Sequence, residues 1–370
     1  MTITIIASLK YPIQKPAALS TKTLLVLLLC LTAGCSMQQQ RDKAEQEWLR
    51  AQTARASIDS VSLQNAVVPD SLSGDEAEVH SGSSFHNAAY ARTTIAGHLQ
   101  SDRIGELSGL APVRGIDEAY WAINDSGNRS ELFAVSSSGK ELAAIKLPIA
   151  NVDWEDLASF EVGGESWVMI ADTGDNLQRR GVSSLYFFKQ PDASKLPLSL
   201  SLHHRIDFNY EDGPKNVESV AVSVTTGQIL LIAKASTNAG VYTLPLKLTA
   251  QGRTLTASKS GLLATLEPNA DDKWWERTFA KGLLLAPTSL DISADDRLAV
   301  VGNYRHAYLF KRASGESWPE ALTRKPQILL SHRMEQSESV AFSSSGNSII
   351  VSSEGLNAPV VLVKPSPSGS

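Results

Sequence analysis

Glu218-Ser219-Val220-Ala221-Val222, a short turn, and then Leu230-Leu231-Ile232-Ala233-Lys234 read as two apolar strands. An acidic residue opens the first and a polar residue closes the second. Short aliphatic runs bounded by turn formers favour strand over helix. The unit recurs on both sides. Upstream, Glu155-Asp156-Leu157-Ala158 leads to Val168-Met169-Ile170-Ala171-Asp172-Thr173-Gly174, and Glu106-Leu107-Ser108-Gly109-Leu110-Ala111 leads to Trp121-Ala122-Ile123-Asn124-Asp125-Ser126-Gly127. Downstream, Thr288-Ser289-Leu290-Asp291-Ile292 leads to Leu298-Ala299-Val300-Val301-Gly302-Asn303, and Glu338-Ser339-Val340-Ala341-Phe342 leads to Ile349-Ile350-Val351-Ser352-Ser353-Glu354-Gly355.

Unit starts at 106, 155, 218, 288 and 338 are separated by 49, 63, 70 and 50 residues. A four-stranded propeller blade needs roughly 40–50 residues, with loops adding the rest. Further strands such as Leu185-Tyr186-Phe187-Phe188 and Val241-Tyr242-Thr243-Leu244 fill the intervals. The expected fold is an all-β propeller of five blades; a sixth would have to come from the 70-residue interval. After Glu338 only three strands fit, while Thr93–Leu99 stands without a blade. Pairing that segment as the outer strand of the last blade closes the ring and removes an open edge.

The first 34 residues read differently. Lys10, Lys15 and Lys22 precede the apolar run Leu24–Leu31, followed by Thr32-Ala33-Gly34-Cys35. A basic stretch, a short apolar core and small residues describe a secretory signal rather than a membrane span. A Cys directly after Ala-Gly resembles the bacterial lipoprotein signal, which implies lipidation of Cys35 and a membrane anchor of several acyl chains. Ser36, where an inner-membrane retention signal would carry Asp, favours the outer membrane, facing the periplasm. Residues 35–91 read as a polar tether, partly helical over Gln38–Ala56 and disordered beyond, and residues 92–370 as the propeller.

Cys30 falls in the signal and Cys35 carries the lipid, so no cysteine is left for thiol catalysis or metal binding in the expected domain. Beyond residue 34 the chain has 31 basic and 39 acidic residues, a net charge of −8. That balance, with no basic cluster, excludes nucleic acid as a partner.

Innermost propeller strands run close to the axis, so the residues opening them should face the channel: Glu106, Glu155, Glu218, Thr288 and Glu338. The second strands end in Asp125, Asp172, Lys234, Asn303 and Glu354. Carboxylates about 6 Å apart repel by about 3 kcal/mol per pair at an effective dielectric of about 20. Such a cluster binds a cation, takes up protons, or pairs with a base such as Lys234. Oxygen ligands without a cysteine or a histidine cluster suit Ca²⁺ or Mg²⁺ better than zinc. The same glutamates can instead accept backbone N–H bonds from the next blade, as structural staples. Asp125-Ser126-Gly127-Asn128 and Asp172-Thr173-Gly174-Asp175-Asn176 read as a repeated tight turn, with Asp175 the member least explained as a turn residue. Asp153-Trp154-Glu155-Asp156 is the densest acidic cluster.

Glu-Leu-Ser-Gly-Leu-Ala, Asn-Asp-Ser-Gly, Asp-Trp-Glu-Asp-Leu-Ala, Asp-Thr-Gly-Asp-Asn and Ser-Glu-Gly together resemble a family of secreted β-propeller lipoproteins. That family is similar to the phytase-like esterase propellers and, more distantly, to the gluconolactonase-like propellers. The resemblance covers about residues 100–360. In gluconolactonase-like proteins a Glu opening an inner strand helps hold a divalent ion, and Glu106 matches that position type. Esterase-like relatives usually carry Asp-Gly in the fourth unit's turn, where this chain has Asp295-Asp296.

Two functions fit. One is a lipid-anchored binding or scaffold module presenting an acidic channel to an envelope protein partner. The other is a Ca²⁺-dependent hydrolase, a phosphoesterase or lactonase, using the channel carboxylates. No Gly-x-Ser-x-Gly elbow occurs, and the seven His form no triad or metal motif.

Overall fold

The computed structural model describes residues 85, 91–192, 195–197, 199–249, 252–269, 284–334 and 336–365. The expected signal, Cys35 and the tether lie outside them, apart from Phe85 and Ala91.

Strand β1 (Ala91–His98) comes first in the chain. A first set follows as an antiparallel meander: β2 (Leu107–Pro112), β3 (Ala119–Asn124), β4 (Glu131–Ser136) and β5 (Glu141–Lys146). The second set is β6 (Trp154–Val162), β7 (Glu165–Asp172), β8 (Ser183–Lys189) and β9 (His204–Tyr210). The third is β10 (Val217–Ser223), β11 (Gln228–Ala233), β12 (Gly240–Pro245) and β13 (Leu255–Leu262). The fourth is β14 (Pro287–Ile292), β15 (Leu298–Asn303), β16 (His306–Lys311) and β17 (Gln327–Ser331). The last three strands, β18 (Ser339–Phe342), β19 (Ile349–Ser352) and β20 (Pro359–Pro365), take β1 as their fourth, antiparallel to β20. The N-terminal strand thus closes the ring, as the leftover segment requires.

The innermost strands contact one another in a closed cycle: β2 with β6, β6 with β10, β10 with β14, β14 with β18, and β18 with β2. That is a propeller. Five apolar clusters fill the five gaps between successive sets. The second strands β3, β7 and β11 are buried on both faces, so their sequences are almost continuously apolar, whereas outer β9 alternates buried and exposed residues. Phe85 packs edge-on against Phe342 in the gap between the fourth and fifth sets. The second and third sets share an outer edge, where β13 pairs in parallel with β9 through Leu255–Phe208, Thr256–Asn209 and Ala257–Tyr210.

Asp296, in place of the glycine of that turn, adopts a φ of 57°. Asp tolerates this conformation better than most residues. Its buried carboxylate accepts the Trp318 Nε1–H at 2.7 Å and the Ser223 hydroxyl at 2.7 Å, which offsets the strain. Trp318 begins the single-turn helix α1 (Trp318–Ala321), capped by Ser317 and Glu320, and packs into the gap between the third and fourth sets.

Candidate functional site

Register, rather than strand ends, decides which side chains meet. Four inner strands carry a β-bulge at their start, between Leu107 and Gly109, Trp154 and Asp156, Val217 and Ser219, and Pro287 and Ser289. The extra residues are Ser108, Glu155, Glu218 and Thr288; Glu338, just before β18, holds the corresponding place in the fifth set. Bulges re-aim side chains and are common beside functional sites. The residue just after the partner strand forms a second ring: Asp125, Thr173, Lys234, Tyr304 and, in the fifth set, Glu354.

A cavity of about 700 Å³ opens at this end of the channel, lined by Asp125, Glu155, Glu218, Lys234, Tyr304, Glu338 and Glu354, with Asn176, Gln178, Asn216, Ser236, Thr237 and Gln336 toward the rim. Of the sequence candidates, Glu155, Glu218, Glu338, Asp125 and Glu354 therefore converge.

Three candidates lie elsewhere. Glu106 is exposed in a separate rim pocket, hydrogen-bonded by Asn128, because the bulge gives its expected place to Ser108. The Ser108 hydroxyl points at the next set and donates to the Glu155 carbonyl at 2.6 Å. Asp172 is the last residue of β7 and pairs with Trp154, one position short of the ring. It faces an outer crevice and forms an ion pair with Arg180 at 2.7 Å. Asp175 is a turn residue, whose carboxylate accepts the Arg180 N–H at 2.6 Å.

The expected stapling role falls to other side chains. Asp156 and Asp291, both buried, accept backbone N–H groups of neighbouring inner strands, and the Thr288 hydroxyl donates to the Ser337 carbonyl at 3.0 Å. Burial pushes the Asp291 carboxyl up to about 7, against the pull of Arg114.

On one wall Asp125, Asp153 and Glu155 each bring a carboxylate oxygen within 4.8 Å of the others. The Ser126 amide donates to Asp125 and the Ser126 hydroxyl to Asp153, so the Asn-Asp-Ser-Gly turn orients both. Asn151 ties the two loops together, donating to the Asp125 carbonyl at 2.7 Å and accepting from the Trp154 amide at 3.2 Å. Gly174 lies against the triad: a Cβ there would stand 2.2 Å from Glu155 Oε1 and 2.4 Å from Asp153 Cγ. Glu155 is only 5 % exposed, and among the described residues no side chain or amide bonds its carboxylate. Burial first, then Glu218, Asp125 and Asp153, drive this carboxyl well above the usual range. Asp153 was legible in the acidic cluster, but the spacing of the repeat gave it no role.

The opposite wall is an ion network. Lys234 Nζ lies 2.5 Å from Glu218 and 3.8 Å from Glu338, and donates to the Tyr304 hydroxyl at 2.8 Å. Tyr304 in turn donates to Glu338 at 2.9 Å. Burial raises Glu218 to about 7 against the pull of Lys234. Burial would lower Lys234, but Glu218 and Glu338 hold its ammonium above the ordinary lysine range. Glu354, half-buried and hydrogen-bonded to Glu338, is pushed up to about 9 by burial and by that neighbour.

No family model and no curated relative matches the chain. Among solved structures, the PQQ-bound aldose sugar dehydrogenase of Streptomyces coelicolor is similar over 75 % of this chain and 98 % of its own, at 10 % identity and a TM-score of 0.38. Luciferin-regenerating enzyme is similar over 72 % of this chain and 79 % of its own, at 15 % identity and a TM-score of 0.34. Neither likeness bears on what the cavity binds.

Proposed function

We propose that this propeller is a cation-dependent binding module of the bacterial envelope, tethered to a membrane through lipidated Cys35. Asp125, Asp153 and Glu155 hold a divalent cation, and the adjoining cavity takes the ligand. The observation that carries the reading is Glu155: a carboxylate nine-tenths buried, aimed into a cavity and without a hydrogen-bond partner among the described residues, with two more carboxylates within 4.8 Å. Such a group is costly unless a cation or a proton compensates it. All-carboxylate donors suit Ca²⁺ or Mg²⁺.

Calorimetric titration of Ca²⁺ and Mg²⁺ into the full chain, with melting curves in parallel, tests this. Binding should raise the melting temperature with cation concentration, and Glu155→Gln should abolish the rise. A wild-type protein that binds neither ion at millimolar concentration sinks the reading.

A hydrolase reading is favoured by one further observation, the hydrogen-bonded carboxyl pair Glu338–Glu354 in the same cavity. A bound cation would polarise an ester or lactone oxygen. Glu354, which keeps its proton near neutral pH, is placed to serve as general acid. Turnover of any neutral ester or lactone, lost in Glu354→Gln with cation binding intact, would establish it.

A further inference from the structure

We propose that the ligand of this cavity is an uncharged, hydroxyl-rich molecule, a sugar or polyol by class, and that phosphorylated counterparts are excluded. The inference rests on the reading of the cavity as a ligand site, but not on the cation.

Charge is the first argument. A bound dication leaves the three carboxylates of the triad one negative charge in excess. Beyond the triad, Glu218, Glu338 and Glu354 line the cavity against one ammonium, Lys234, which pairs with Glu218. Carboxylates thus outnumber cationic groups in the cavity, with or without the ion. A phosphate ester, itself a dianion at neutral pH, meets like charge in either state.

Donor supply is the second argument. Phosphate sites are built from arginine forks, lysines or helix N-termini. Among the described residues lining the cavity, Lys234 is the sole cationic side chain, and it is engaged by Glu218, Tyr304 and Glu338. Nothing positive is left to receive a phosphate.

The third argument is the rim. Gln178, Ser236, Thr237 and Gln336 face the cavity, and among the described residues no hydrogen bond engages their side chains. Amides and hydroxyls both donate and accept, so they match vicinal hydroxyl groups, which do the same. The space of about 700 Å³ suits a ligand of one or two sugar rings.

The test is calorimetry on the full chain in Ca²⁺ with glucose, maltose and sorbitol set against glucose 6-phosphate. At least one neutral compound should bind, and glucose 6-phosphate should bind at least about tenfold more weakly than glucose. Gln336→Ala combined with Thr237→Ala should weaken the neutral ligand at least about fivefold. Glucose 6-phosphate binding as tightly as glucose would overturn the proposal. So would the failure of all three neutral compounds to bind at about 10 mM. Titrating Ca²⁺ without sugar reports on the cation site alone, so the two readings fail separately.

Discussion

Asp156 accepts the backbone N–H of Val220 at 2.8 Å, so a carboxylate from one inner strand is bonded into the next. The same oxygen accepts from Leu290, one strand further round, at 3.2 Å, and the other oxygen accepts from Leu157 at 2.8 Å. This completely buried carboxylate joins three inner strands at the axis. Burial pushes it well above the usual range, while the three amides pull the other way. Asp156→Ala leaves three buried donors without a partner, at about 1–3 kcal/mol each. Urea unfolding should show a loss of at least about 3 kcal/mol or failure to fold; native-like stability would deny the contact its role.

Gly174→Ala tests the triad without touching a charge. The added methyl must displace Glu155 and Asp153, since it would stand 2.2 Å from one and 2.4 Å from the other. Cation affinity should fall at least about tenfold, measured by calorimetry, with the circular dichroism of the fold retained. Unchanged affinity would mean the cation sits elsewhere.

Lys234→Met removes the counter-ion of Glu218, which is buried to within 4 % of complete. Breaking one partner of a buried pair costs about 3–5 kcal/mol, because the other charge is stranded. Denaturant midpoints should drop accordingly, and the double variant Lys234→Met with Glu218→Gln should recover most of the loss. A single variant as stable as wild type would show that the pair contributes nothing.

The raised carboxyls fix a pH dependence. Glu218 and Glu354, both ordinarily near 4.5, titrate at about 7 and about 9 in the folded chain. The folded state therefore holds more protons than the unfolded one above pH 4.5, and stability falls as pH rises through that window. Melting temperatures in EDTA should decline from pH 5 to pH 9, and Glu354→Gln should flatten the part above pH 7. A rising or level profile in wild type would contradict the arrangement.

Much of this was legible in the sequence, because inner strands buried on both faces leave long aliphatic runs with an acidic residue at a recurrent place. Glu155, Glu218 and Glu338 were found that way, and Asp125, Lys234 and Glu354 from the strand that follows. What periodicity does not reveal is a bulge, which adds one residue and shifts all that precedes it. The bulge makes Ser108, not Glu106, the counterpart of Glu155, and Thr173, not Asp172, the counterpart of Asp125. Tyr304 escaped for the same reason, lying one residue past Asn303. The plug role of Asp156 was hidden by its position inside an apolar strand, where only contacts across the ring explain a carboxylate.

The shared edge between β9 and β13 has a dynamic consequence. Eight strands linked by continuous ladders should open to solvent as one block, so their amide protons should exchange with deuterium at similar, slow rates. Breathing of the ring is then left to the seams around the fifth set, where β1, distant in sequence from its partner, is hydrogen-bonded into the sheet through β20. Access to the interior from solvent would be governed there, at the joint between the first and the last strand of the ring.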